Sequence, residues 1–129
     1  MKPIEIARRR MHAQRLWSRP HTSAVDVVRH LMAIQSQEAA AAKFSFGARA
    51  VSAVGAVVEA DVDAALNTGA VVRTHVLRPT WHYVAAADLR WLLRLTAPRV
   101  RQLSAYMMKK VALDDDTLTR AKSLLSVAL

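Results

Sequence analysis

The sequence predicts a mainly α fold, a winged helix-turn-helix with a short two-stranded wing and additional flanking helices, on three observations. Three stretches before residue 47 carry apolar or small residues in helix-forming patterns. One later stretch, 71–84, turns β-branched and aromatic around Arg78-Pro79, and helical patterning resumes behind it. Helix, helix, helix, wing is the order of that fold.

The first helix is expected from Ile4 to Trp17, where Ile4, Ala7, Met11 and Leu16 lie near helical spacing and Arg8, Arg9, Arg10 and Arg15 crowd the other sides; Pro20 ends it. Ser23-Ala-Val-Asp26 has the form of a capping box for a second helix with Val27, Val28, Leu31 and Ile34 as its buried face. The two together resemble a helical hairpin. A third helix is expected over Glu38–Phe46, rich in alanine, with Gly47 as its C-cap. Residues 48–60 are small and ambiguous between loop and short helix. Asp61–Asn67 is expected to be helical, with acidic residues at its positive end and Asn67-Thr-Gly69 as its stop.

Val71–Leu77 and Thr80–Val84 then read as two antiparallel strands joined by a turn at Arg78-Pro79. Ala85–Leu95 returns to helix, and Pro98 opens another through Val111. A last helix follows Asp114-Asp-Asp-Thr117 and is expected to bury Leu118, Ala121 and Leu125. Trp17, Trp81 and Trp91 are expected in the core rather than as base-stacking groups.

Length and composition bound the function. A chain of 129 residues with 53% hydrophobic content is one domain's worth, and a single domain over 1–129 is expected. No apolar run reaches the ~18 residues of a membrane span. The absence of cysteine excludes disulfides, thiolate zinc sites and thiol nucleophiles, and the five histidines show no metal-ligand spacing, so neither metal nor cofactor is expected. The first ten residues lack the apolar core of a signal peptide; a cytoplasmic, nucleoid-associated protein is expected.

Lys+Arg of 19 against Asp+Glu of 10 gives a net charge of +9, and 14 of the cations are Arg, the residue that forks onto phosphates. Double-stranded DNA is the first partner to consider. A basic composition in which Arg merely replaces Lys accounts for the charge equally well.

Gln35-Ser36-Gln37, directly after the second apolar helix, is the stretch with the clearest chemical content. An amide has no titratable group near neutrality, so it cannot deprotonate water as a carboxylate can, yet it can fix a water by hydrogen bonds. Residues two apart face nearly opposite sides of a helix and the same side of an extended segment. Both glutamines can therefore meet one water only at a helix end or turn; in a continuous helix at most one does.

Two stretches carry a resemblance. Leu31-Met-Ala-Ile-Gln-Ser-Gln37 is similar to the Gln-x-Gln motif of the AlkZ-like DNA glycosylases, and Val72-Arg-Thr-His-Val-Leu-Arg-Pro-Thr-Trp-His82 to their Arg-Thr-x-x-x-Arg-x-Thr-x-His segment, with a helix at Leu89–Leu93 behind it. The chain resembles the N-terminal part of that winged-helix family over roughly 8–103. It departs at Pro79, where the family more often has Gly, and in length, since family members are longer and arrange several winged-helix units around DNA. With no C-cap before Leu129, the chain is expected to be the N-terminal fragment of a longer protein, weak or inactive alone.

The resemblance implies that Gln35 and Gln37 orient a hydrolytic water at an alkylated nucleotide. Mild catalysis of that kind suits a leaving group that is already activated, such as a cationic N7- or N3-alkylated purine, and implies a monofunctional enzyme able to act on alkylated DNA and interstrand crosslinks. Arg73, Arg78 and His82 of the wing, with Arg8 and Arg9, are the candidate DNA contacts. For Arg73 a solvated strand face or an internal salt bridge is an equal reading, for His82 a structural hydrogen bond, and for Arg8 and Arg9 a solvated helix face. Glu38 is the one carboxylate beside the glutamines. The competing function is a non-enzymatic winged-helix DNA-binding or regulatory protein that reads bases with the helix after a turn.

Overall fold

A three-stranded antiparallel sheet divides the molecule into two layers. The computed structural model describes residues 2–52, 55–57, 59–78 and 80–128. Their elements in chain order are α1 (Pro3–Ala13), α2 (Ala24–Leu31), β1 (Ile34–Gln35), α3 (Ala39–Gly47), β2 (Val51–Ser52), β3 (Gly55–Ala56), α4 (Glu59–Asn67), β4 (Val71–His75), β5 (Trp81–Ala85), α5 (Ala86–Lys110) and α6 (Asp115–Ala128). The sheet order is β1-β5-β4, and β2-β3 form a separate two-residue hairpin. A mainly helical chain with one small open antiparallel sheet is consistent with a winged helix.

Alternation along the strands assigns the two layers. Val71, Tyr83, Ala85 and Ile34 face α2, α3 and α4, where they bury with Val27, Val28, Phe46 and Val62. Phe46 and Tyr83 meet edge-on, ring centroids 5.7 Å apart. Val72 and Val84 face the other way, onto Val76, Leu89 and Leu92 at the start of α5.

Ser23 caps α2 as its sequence implies. Its Oγ accepts from the Asp26 N–H at 3.1 Å and donates to the Asp26 carboxylate at 2.7 Å. That pair satisfies one of the otherwise orphaned helix-start donors and is worth about 1 kcal/mol. The helix ends sooner than its apolar pattern implies. Leu31 is its last residue, Met32 turns the chain at φ 69, ψ −46, and Ile34 buries from strand β1 instead of from the helix. Those angles lie near the strained γ-turn, immediately before the glutamines.

Other elements correct their sequence expectations. Gly47 is the last helical residue of α3, with Ala48 in the cap position. A β-carbon on Gly47 would lie 2.7 Å from the Val57 carbonyl oxygen, so close backbone approach, not a turn, explains the glycine. Within 48–60, the described residues form β2 and β3 and begin α4; Ala53, Val54 and Val58 lie outside the described residues, as does Pro79 in the β4–β5 turn. The expected break at Pro98 is absent: α5 runs unbroken from Ala86 to Lys110 with Pro98 inside it. Pro98 has no N–H to donate to the Arg94 carbonyl, a loss that costs least on an exposed stretch.

Burial also differs from expectation in two places. Trp17 is 71% exposed, and Trp81 and Trp91 sit at the surface at 36% and 37%. On α6, Leu118 is half-buried, whereas Ala121 and Leu125 are exposed. Nor does α1 bury any residue.

Candidate active site on strand β1

β1 is an edge strand made of two residues, positioned by the centre strand β5: Ile34 stands opposite Tyr83 and Gln35 opposite His82. Pairing continues one residue further, where the Ser36 N–H donates to the Trp81 carbonyl at 2.8 Å. Gln35 is therefore held in extended backbone, and Gln37 follows two residues on, in the bend that leads into α3. Ser36 between them is 0% exposed while Gln35 and Gln37 are open to solvent. Of the two geometries that the triplet allowed, this is the one in which both amides can reach a common ligand.

Both glutamines line a depression of about 350 Å³ between β1 and α3, with Glu38, Ala41 and Ser45 on its other walls. The Arg78 Nη2 donates to Gln35 Oε1 at 3.0 Å, and the Trp81 backbone N–H donates to Gln37 Oε1 at 3.3 Å. Each partner is a donor only, so each amide must present its carbonyl oxygen to it. That fixes both amide planes, leaves an NH₂ pointing away from each anchor and keeps a second lone pair on each carbonyl. Such a pair can hold one water by donating and accepting at once. It cannot take the water's proton for good. Glu38 brings the depression its one carboxylate, and its side chain makes no capping bond to α3.

The wing residues gather around the same segment. Arg73 donates through Nη2 and Nε to the Ser36 carbonyl at 2.9 and 3.3 Å, and its guanidinium lies 4.6 Å from the centroid of the Trp81 ring. His75 stacks on the same indole at 4.1 Å. His82 is 4% exposed, and its Nδ1 donates to the Thr80 carbonyl at 2.8 Å in the neutral tautomer that this acceptor requires. Burial lowers its pKa from the ordinary value, the Thr80 bond opposes that, and the nearby Arg78 and His75 reinforce it.

Arg8 and Arg9 lie elsewhere, on α1, in a shallow groove with His12 and Trp17. Arg9 is engaged with Glu5 at 2.8 Å. A larger cleft, about 460 Å³, sits between α3 and the start of α4 with Arg19 on its rim, and two of its charges are occupied with each other: Lys43 bridges Glu59 at 2.8 Å, and also Asp63 at 2.6 Å.

Sequence reasoning missed two features here. Trp81 acts through its backbone N–H, which no side-chain motif reveals. Arg90, Arg94 and Arg101 are exposed on α5 and, at offsets of 4 and 11, fall within one narrow stripe opposite Leu89 and Leu92. Their spacing was readable. Among the described residues no cluster of three or more His, Asp or Glu could hold a metal, and no helix is long and apolar enough to cross a membrane.

The family model described as DNA glycosylase AlkZ-like matches residues 28–127, which is most of the chain. This chain belongs to the AlkZ-like DNA glycosylase family. Neither the curated proteins nor the solved structures return a match. The AlkZ-like span contains Gln35, Gln37, the wing and the arginine stripe of α5, while α1 with Arg8 and Arg9 lies before it. Membership makes this a DNA-binding protein of DNA repair, with base excision as its general activity.

Proposed function

We propose that the protein hydrolyses the N-glycosidic bond of cationic N7- or N3-alkylated purines in duplex DNA, with Gln35 and Gln37 holding the attacking water. The observation that carries this reading is the pair of amides at the end of β1, both anchored by their carbonyl oxygens and both lining the same depression. A cationic purine leaves as a neutral base, so the bond supplies most of the driving force and the protein needs to orient water more than activate it. An uncharged lesion such as uracil lacks that assistance and is a poor substrate. Bulky N7 adducts, including those that crosslink two strands, fit a site that lies in an open depression instead of a closed pocket.

Residues 1–129 act in this reading as one winged-helix unit of a larger DNA-embracing arrangement. The bare apolar side chains of Tyr106, Met107, Leu124 and Val127, between 56% and 90% exposed, support further packing against that end.

The test is base release from a duplex carrying N7-methylguanine, comparing the wild type with Gln35→Ala/Gln37→Ala. Release by the wild type and a loss of about 10²-fold or more in the double variant is expected. Release that survives the double substitution but not Glu38→Gln would move the water to the carboxylate. No release, with lesion-independent DNA binding intact, would leave a winged-helix DNA-binding module as the function.

A further inference from the structure

We infer that Arg73 is a positioning residue for Gln37 and not a phosphate contact; its role in catalysis rests on the function proposed above, whereas its structural role does not. In an antiparallel sheet, a hydrogen-bonded pair exchanges two backbone bonds. Ser36 and Trp81 are such a pair, and the first bond is present, Ser36 N–H to the Trp81 carbonyl at 2.8 Å. The reciprocal bond is not made. Its donor, the Trp81 N–H, is given to Gln37 Oε1 at 3.3 Å, and its acceptor, the Ser36 carbonyl, takes two N–H groups of Arg73 at 2.9 and 3.3 Å.

One backbone bond has thus been exchanged for side-chain bonds, and the two halves of the exchange depend on each other. A carbonyl already accepting a forked, charged donor is a poorer partner for a neutral N–H, because charge-assisted bonds are about twice as strong as neutral ones. With Ser36 occupied, the best remaining acceptor for the Trp81 N–H is the Gln37 amide. Remove the guanidinium and the ladder bond can close, which releases Gln37 to rotate.

Two facts separate this role from DNA grip. Register puts Arg73 opposite Tyr83, on the sheet face that carries the α2–α4 core, away from the face of Gln35 and His82. Its guanidinium carbon also lies 4.6 Å from the Trp81 ring centroid, and His75 packs on the same indole at a tilt. Its Nε–Nη2 edge is committed to Ser36 and its face to an aromatic neighbour, so a phosphate could meet only the three remaining N–H groups.

The experiment combines three readouts on Arg73→Ala and Arg73→Lys. First, the through-bond NMR coupling between the Trp81 amide nitrogen and the Gln37 side-chain carbonyl carbon is expected in the wild type and lost in Arg73→Ala. Retention of the coupling in a folded Arg73→Ala overturns the inference, whatever the protein's activity. Second, the salt dependence of duplex binding is expected to be unchanged; a slope smaller by about 0.9 would make Arg73 a phosphate contact. Third, base release is expected to fall about 10²-fold in Arg73→Ala and no further in Arg73→Ala/Gln37→Ala than in Gln37→Ala alone, since one residue acts through the other. Additive losses would overturn the coupling.

If Arg73→Ala does not fold, Arg73→Lys decides, because a single ammonium can still occupy Ser36 and should preserve both the coupling and most of the rate. Absence of base release from the wild type would remove the proposed function while leaving the first two readouts to judge Arg73.

Discussion

Placing His82 on the inner side of the centre strand makes the fold sensitive to acid. Burial, with Arg78 and His75 nearby, lowers its folded-state pKa below the ordinary 6.5, and His21 is lowered in the same direction by its own burial and by His30. The unfolded chain therefore binds protons more readily than the folded one between the lowered values and 6.5. Stability from these groups is complete above that value, declines as pH falls below it and levels off once the folded state is protonated too. Urea midpoints taken from about pH 7.5 to pH 5 should fall, and His82→Gln, whose amide can still donate to the Thr80 carbonyl, should flatten the dependence. A His82→Gln profile as steep as that of the wild type would assign the acid lability to His21.

Gly47 gives the sharpest test at the level of the elements, because two effects of opposite sign compete there. Alanine inside a helix gains about 0.5–1 kcal/mol over glycine. At this position its β-carbon meets the Val57 carbonyl oxygen at 2.7 Å, a backbone atom that cannot rotate aside, and overpacking of that kind costs about 1–3 kcal/mol. Gly47→Ala is expected to lower the urea unfolding free energy; a gain would mean that β3 moves away from α3 at little cost. The elements also show what the sequence could and could not disclose. The Ser23 cap and the β4–β5 hairpin were legible because each is a local affair, a side chain meeting an amide three residues on or two strands joined by a short turn. β1 was not, since two residues are too few for a period and its partner β5 is far along the chain. Spacing within α6 indicated which side chains would face a core but not whether a core was there, and Val127 is 90% exposed. For the site, the triplet itself stated the condition under which both glutamines could face one water, and whether the chain left the helix there depended on long-range pairing of Gln35 and Ser36 with β5.

Charge is a property of the whole molecule, and composition alone did not say whether +9 meant DNA or merely an Arg-rich surface. Placement now divides the arginines. Arg73 and Arg78 are committed to the Gln-x-Gln segment, Arg49 donates to Gln14 and Ser45, and Arg9 pairs with Glu5. Arg90, Arg94 and Arg101 donate no hydrogen bond to a described residue and stand in one exposed stripe about 16 Å long on α5, a helix seated on the sheet by Leu89 and Leu92. A row of guanidinium groups without a side-chain partner among the described residues, on a helix anchored at its start by Leu92, is suited to phosphates, whereas α1 buries nothing and one of its arginines is already paired. The Arg90→Gln/Arg94→Gln/Arg101→Gln variant is therefore expected to bind duplex DNA more weakly and with a salt slope smaller by up to about 2.7, the release of three phosphate contacts at about 0.9 each. Arg8→Gln/Arg9→Gln should change the slope by less than one contact. The reverse result, a slope governed by Arg8 and Arg9 and indifferent to the α5 stripe, would put the DNA across α1, and the Gln35–Gln37 depression would then have to be reached from that side.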